Sequence, residues 1–248
     1  KRMILVDGNS LMYRAYYGMS AGGSIAQNSK GLYTNAIYGF LNILLKLISD
    51  FEPDYICAAF DVKAPTFRHE MFKEYKAQRK PMPEGLAQQM PMARELVEVL
   101  GIPVLELSGF EADDIIGTVS AICEKEGVSC FIATGDKDDL QLATDKTNVI
   151  LTVSKQGFTE TFVYDDKAVF EKYGVTPLEF IDVKALMGDT SDNIPGVLGV
   201  GEKTALKLIA ENHSIEKIYE DVENAGVKGA MLQKLISGKD SAFLSKTL

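Results

Sequence analysis

The chain has no run of about 18 consecutive apolar residues, so nothing in it is built to cross a bilayer as a helix. Its three cysteines, Cys57, Cys123 and Cys130, are scattered and form no CxxC pair. Cys57 and Cys130 lie in apolar, strand-like runs, so free buried thiols in a reducing, cytoplasmic compartment are expected. The two histidines, His69 and His213, stand alone, and no Ser-His or Cys-His set points to a covalent intermediate. Low-complexity segments and long repeats are absent. Net positive charge is missing too: 26 Lys+Arg face 35 Asp+Glu, a balance of −9 that by itself disfavours a polyanionic partner. The start, Lys1-Arg2-Met3-Ile4, leads into a strand pattern without a secretion signal. The end, Phe243 to Leu248, carries no terminating signal and reads as a cut within something longer.

What is present is acid at the ends of elements. Met3-Ile4-Leu5-Val6 and Tyr55-Ile56-Cys57-Ala58-Ala59-Phe60 are short apolar runs of the kind expected for strands buried on both faces. So are 103–106 and 130–133. Helical patterns over 34–50, 84–100 and 112–126 fall between them, with apolar residues three and four apart. Strands alternating with helices predict an α/β fold with a mostly parallel sheet. In such sheets ligands gather at the carboxyl ends of the strands. Asp7, Asp61 and Asp136 follow their strands directly and should reach that crevice. Residues 149–153 and 160–164, with Gln156-Gly157 between them, predict an edge hairpin.

Two segments depart from this alternation. Residues 63–83 are rich in Pro and hold Lys63, Arg68, Lys73, Lys76, Arg79 and Lys80 against only Glu70 and Glu74, which predicts a solvated or mobile insertion beside the crevice. From about 176 the pattern is helical with Gly-rich turns. The expected division is an α/β core over 1–175, including the 63–83 insertion, and a helical region over 176–248.

Nine acids, Asp7, Asp61, Glu111, Asp113, Asp114, Asp136, Asp138, Asp189 and Asp192, equal the whole net charge of −9. Gathered in one pocket without cations they would repel and raise one another's pKa values. The set therefore implies hard divalent ions, Mg²⁺ or Mn²⁺. Two of them about 4 Å apart suit an in-line displacement at phosphorus. Taken singly, each acid also reads as a helix cap or turn former.

The motifs Val6-Asp7-Gly8-Asn9, Phe60-Asp61, Phe110-Glu111-Ala112-Asp113-Asp114, Thr134-Gly135-Asp136-Lys137-Asp138, Gly188-Asp189-Thr190-Ser191-Asp192-Asn193-Ile194-Pro195-Gly196 and Gly199-Val200-Gly201-Glu202-Lys203-Thr204-Ala205 resemble, in this order, those of the flap endonuclease family. They are most similar to the 5′-nuclease (5′-3′ exonuclease) domains of bacterial DNA polymerase I. The resemblance runs from Asp7 to about residue 240. It implies one metal position served by Asp7, Asp61, Glu111, Asp113 and Asp114, and a second served by Asp136, Asp138, Asp189 and Asp192. It likens 63–83 to a helical arch, with Lys76 and Arg79 as catalytic cations on the scissile phosphate. Tyr75 would stack a base if Tyr75 to Arg79 is helical. Arg14 matches a phosphate-contacting position. Gly199, Gly201, Lys203 and Thr204 match a helix-hairpin-helix type element that holds duplex DNA and a monovalent cation such as K⁺. Asp139 departs from the pattern, where an apolar residue is usual, and reads as a solvated extra acid.

The expectation is a metal-dependent 5′ nuclease acting on DNA with a 5′ flap, nick or 5′ end. It would be a monomer, without a membrane partner, fused to polymerase domains in a longer chain. A nuclease-inactive DNA-junction module and an RNA-directed nuclease are the alternatives. The complete acid set weighs against the first, and the helical Gly-rich region against the second.

Overall fold

The first strand, β1 (Arg2–Asp7), buries Ile4, Leu5 and Val6 at 0–1% exposure and lies in the middle of a sheet. In the computed structural model, which describes residues 1–20, 26–155 and 158–248, it runs without a loop into α1 (Gly8–Ser20). Glycine at position 8 is what permits this: a Cβ there would stand 2.3 Å from the Phe60 ring. Next come α2 (Asn35–Phe51), β2 (Tyr55–Ala59), α3 (Phe67–Met71), α4 (Glu84–Ala87), α5 (Met90–Val99), β3 (Val104–Leu105), α6 (Ala112–Lys125) and β4 (Ser129–Thr134). A 3-10 turn, Asp138–Leu142, leads to β5 (Thr147–Lys155) and β6 (Phe158–Tyr164). The described chain then continues as α7 (Asp166–Tyr173), α8 (Pro177–Met187), α9 (Glu202–Asn212), α10 (Ile215–Glu220), α11 (Ala230–Ser237) and α12 (Lys239–Thr247).

The six strands order as β3-β2-β1-β4-β5-β6. All neighbours are parallel except β5 and β6, the expected edge hairpin. Its expected turn, Gln156-Gly157, lies outside the described residues. The parallel register places Asp7 beside Ala59 on one side, and pairs Val6 with Ala133 on the other. The tips of β1, β2 and β4 therefore end level, which is what brings their acids together.

Helix α2 turns Ala36, Phe40, Ile43, Leu44 and Leu47 inward at spacings of three and four. Burying a side chain such as Phe40 or Leu44 stabilises by about 1.5–3 kcal/mol each. The helix expected over 84–100 is instead two helices, α4 and α5. Pro91 lacks the N–H that would bond the Ala87 carbonyl, so one unbroken helix cannot pass through both. Gln89, wholly buried at the break, ties it to α4 and α2: its amide donates to Gly85 O (2.6 Å) and Asn35 Oδ1 (3.1 Å) and accepts from Ile37 N–H (3.0 Å).

The chain divides into two compact units, Lys1–Ala64 with Pro81–Asp165, and Pro65–Lys80 with Asp166–Leu248. The basic segment 65–80 thus belongs with the helical unit, whereas the sequence had assigned it to the α/β core. In the helical unit Thr176 and Glu179 cap α8 reciprocally. Buried Asp182 is held by Lys246 (2.7 Å) and the Ile215 N–H (3.1 Å). All three cysteines are buried free thiols, and burial pushes the Cys57 thiol up to about 12. Among the described residues no helix is long and apolar enough to cross a membrane.

Candidate functional site

In the α/β unit, Asp7 ends β1 at 3% exposure. Its carboxylate accepts from the Ser10 N–H (2.9 Å) and the Thr134 hydroxyl (2.8 Å), and no lysine or arginine is among its partners. Asp61, just past β2, is fixed by Asn9 Nδ2 (2.9 Å) and by the Ala112 N–H at the start of α6 (2.8 Å). Its carbonyl accepts from Arg94 (2.7 Å), which lies over the Phe60 ring. On the β4 side, Ser10 Oγ accepts from the Gly135 N–H (2.9 Å) and Arg14 donates to the Gly135 carbonyl (2.6 Å). The Asp136 N–H donates to Thr134 Oγ1 (3.0 Å), and Asp136 in turn accepts from the Asp138 N–H (3.0 Å). Arg14 thus secures a strand tip in this structure.

Glu111 and Asp114 do different work. Glu111 is the N-cap of α6, and Asp114 reaches back to the Glu111 N–H (2.9 Å), a reciprocal capping box. These acids also complement the positive end of the helix dipole. Asp113, partly exposed between them, offers its carboxylate to a tighter group: one oxygen each from Asp7, Asp113 and Asp139 lie within 4.8 Å of one another.

The sequence expectation for Asp139 is corrected here. It is not a solvated acid; the 3-10 turn after β4 rolls it inward to 3% exposure. Its Oδ2 is buried without a hydrogen-bond partner. Burial pushes the Asp7 carboxyl up to about 6, with the charges of Asp61 and Asp136 adding to the rise. Asp113 and Asp139 are raised well above the usual range by burial of their carboxyls, then by neighbouring acids: Asp139 and Asp7 act on Asp113, and Asp7 and Asp136 on Asp139. Acceptor-only groups at this separation, one with an orphaned oxygen, fit a hard divalent cation.

The helical unit treats its acids in the opposite way. The loop between Gly188 and Gly196 closes on itself through an Asp189–Ile194 bridge. Glycine is required at both ends: a Cβ on Gly196, at φ +57°, would sit 2.3 Å from Gly188 N. Asp189 is paired with Lys184 (2.5 Å) and accepts from Ser191, and its carboxyl falls to about 2 because these contacts outweigh the cost of its burial. Asp192 gathers the basic segment. Arg79 binds it through Nε (3.0 Å) and a second guanidinium nitrogen, Lys76 stands at 3.7 Å, and Tyr75 Oη at 3.3 Å.

Tyr75 to Arg79 is not the helix on which base stacking depended. It is a series of turns with Lys76 at φ +56°. Tyr75 is 4% exposed and packs edge-on to His69, a place for holding the segment together and not for receiving a base. Gly201 begins α9 without a capping side chain, beside Leu198 at 89% exposure. Lys203 and Thr204 lie in the first turn of that helix. The holders not singled out in the sequence are Ser10 and Arg94, with Asn9 and Thr134 visible only as parts of motifs. Ser10 had the signal of adjacency to an acid-bearing strand end; Arg94, within α5, had none.

The family model for the 5′-3′ exonuclease N-terminal resolvase-like domain matches residues 2–174. The model for the 5′-3′ exonuclease C-terminal SAM fold matches 175–248. The chain is 48% identical over its full length to DNA polymerase I of Bacillus subtilis and 45% identical to that of Streptococcus pneumoniae, covering 27% and 28% of those proteins. It thus spans about a quarter of the length of these curated relatives. Among solved structures, bacteriophage T5 5′-exonuclease with bound zinc superposes with a TM-score of 0.77 at 23% identity, over 99% of this chain and 88% of that one. Flap endonuclease-1 from Methanococcus jannaschii gives 0.59 at 19% identity, over 99% and 78%. Both share the fold described above.

Proposed function

The chain belongs to the 5′-3′ exonuclease family, and on that footing we propose that it is a divalent-metal-dependent nuclease that hydrolyses DNA phosphodiesters at 5′ ends and 5′-flap junctions. The observation that carries the reading is the trio Asp7, Asp113 and Asp139, three acids with raised pKa values whose oxygens converge within 4.8 Å. Asp7 and Asp113 would hold the ion, with Asp61 and Asp136 adding negative charge beside them. When bound, Mg²⁺ or Mn²⁺ supplies charge that polarises the scissile phosphate and acidifies the attacking water. Asp189 and Asp192 are proposed as donors to a second ion, and in that role they must first give up Lys184 and Arg79.

The rest of the work falls to the chain. Lys76 and Arg79, on leaving Asp192, would neutralise charge developing on the phosphate. The open first turn of α9, with Gly199, Gly201, Lys203 and Thr204, would take a backbone phosphate of the duplex without reading bases, with K⁺ as an accompanying ion. The DNA partner is supported by a bacteriophage T5 flap endonuclease of the same fold, solved as a pseudo-enzyme-product complex with DNA and metal ions. Fusion to polymerase domains is supported by the longer relatives.

The test is cleavage of a 5′-flap duplex in Mg²⁺. Asp113→Ala should reduce turnover by at least about a thousandfold while circular dichroism stays native. Lys76→Ala should lower kcat more than it raises KM, since its contact is made to charge that develops in the transition state. Undiminished cleavage by Asp113→Ala would refute the metal assignment. Tight flap binding by the native chain without any cleavage would leave a junction-binding module.

A further inference from the structure

We propose that Asp139 is itself a ligand of the divalent cation held by Asp7 and Asp113, so that this chain meets its ion with one more buried carboxylate than the motif Thr134 to Asp138 supplies. The inference rests on the metal-dependent reading above and adds a residue to that site.

Three observations converge. Asp139 is 3% exposed, so it is no surface acid. One of its oxygens lies within 4.8 Å of oxygens on both Asp7 and Asp113. Its Oδ2 is sealed from solvent and makes no hydrogen bond. Leaving a buried acceptor unsatisfied costs about 1–3 kcal/mol, and more for an anion. Asp7 and Asp113, when ionised, cannot relieve it, because ionised carboxylates only accept hydrogen bonds. The acids that act on it through space, Asp7, Asp136 and Asp138, make its isolation worse. A dication answers all of this at once, giving the orphaned oxygen a partner and the acids a shared countercharge.

The backbone explains why an aspartate can serve here. Asp136 and Asp138 are linked through the turn that follows β4. The 3-10 turn then brings the next residue within reach of Asp7 at the tip of β1. An apolar side chain at position 139 would occupy the same buried place and cap the site from below. Aspartate turns that floor into a ligand.

The measurement is Mn²⁺ binding to the full 248-residue chain, followed by electron paramagnetic resonance, with Asp139→Leu and the nearly isosteric Asp139→Asn as variants. Even residues that only support metal ligands cost about 10–100-fold in affinity when removed. Asp139→Leu should therefore weaken Mn²⁺ at least about tenfold while melting higher than the native chain in EDTA. Asp139→Asn, which keeps an oxygen but loses the charge, should fall between the two and carries the test if the leucine variant does not fold. In manganese-soaked crystals an Asp139 oxygen should lie about 2–2.6 Å from the ion, the range of direct oxygen ligands. Unchanged Mn²⁺ affinity in both variants, or an ion beyond about 3.5 Å from Asp139, would overturn this inference alone. A native chain that binds no Mn²⁺ would overturn it together with the proposed function.

Discussion

Two groups of aspartates in this chain carry the same side chain and stand in opposite electrostatic states. Around the tip of β1, Asp7, Asp113 and Asp139 are acids among acids, Asp7 held by hydroxyl and amide donors, and their pKa values rise. In the Gly188 to Gly196 loop, Asp189 and Asp192 are already met by Lys184, Arg79 and Lys76, and Asp189 falls to about 2. The first group needs a cation from outside; the second has its cations built in. A count of acids treats the two alike. Only the partners tell a binding site from a structural latch.

The sharpest way to break the contrast is to remove the need for an outside cation. In Asp7→Asn/Asp113→Asn the protein should melt higher than the native chain in EDTA and lose its response to Mn²⁺. In the native chain, Mn²⁺ at a hundred times its Kd should stabilise by about 2.7 kcal/mol, roughly 5–10 °C in melting temperature. The pH dependence has a definite sign. The Asp7 carboxyl is pushed up to about 6 in the folded chain, against about 3.8 for an unperturbed aspartate, so the metal-free protein binds the extra proton in the folded state. The Asp7 contribution is full below about pH 4 and falls by about 3 kcal/mol as pH rises through 6. Added Mn²⁺ should reverse that fall, because the ion competes with the proton. A metal-free stability that is flat from pH 4 to 7 would mean the cluster is relieved in some other way.

The two groups were also unequally legible in the sequence. Continuous apolar runs ending in acid were enough to locate Asp7, Asp61 and Asp136, because a parallel sheet sends strand ends to one edge. The interior of the site was less visible. Asp139 reads as one more polar residue until the 3-10 turn shows which way it faces, and a period of two or 3.6 carries no information about such a turn. The latch was hidden for another reason. Asp192 meets Arg79 from 113 positions away, and no local pattern encodes so distant a pairing. The helix on which stacking by Tyr75 was conditional does not form: Lys76 adopts φ +56° and gives its N–H to the Asp192 carbonyl (2.8 Å). The break between α4 and α5 was legible in principle, since Pro91 stands in the sequence.

A smaller effect tests the second group. Lys184→Met keeps most of the side-chain volume and leaves Asp189 without its ammonium. Both partners are about four-fifths covered, so the loss should be about 2 kcal/mol, below the 3–5 typical of a fully buried pair. Urea unfolding would measure it. Mn²⁺ should recover part of the loss in this variant and not through Lys184 in the native chain, because the substitution makes Asp189 resemble the strand-tip acids. If Lys184→Met is as stable as the native chain, the loop is not a latch and the contrast fails.

The smallest expected effect is the acid limb of the same pair. The Asp189 carboxyl is held down at about 2 in the folded chain, against about 3.8 for an unperturbed aspartate. It releases its proton more readily when folded, so its contribution is present above about pH 4 and is lost as pH falls towards 2. Discounted for solvent screening at a partly exposed pair, it amounts to about 1 kcal/mol. The sign is opposite to that of Asp7, whose folded state gains a proton where that of Asp189 loses one. Unfolding of the metal-free chain should therefore show two slopes: stability rising with pH between 2 and 4, and falling above 4. Lys184→Met should flatten the first slope and leave the second, whereas Asp7→Asn should leave the first and reduce the second, to which Asp113 and Asp139 also contribute. A variant that altered both slopes together would show that the two groups titrate as one network, and the distinction between an ion-seeking cluster and a self-neutralised loop would not hold.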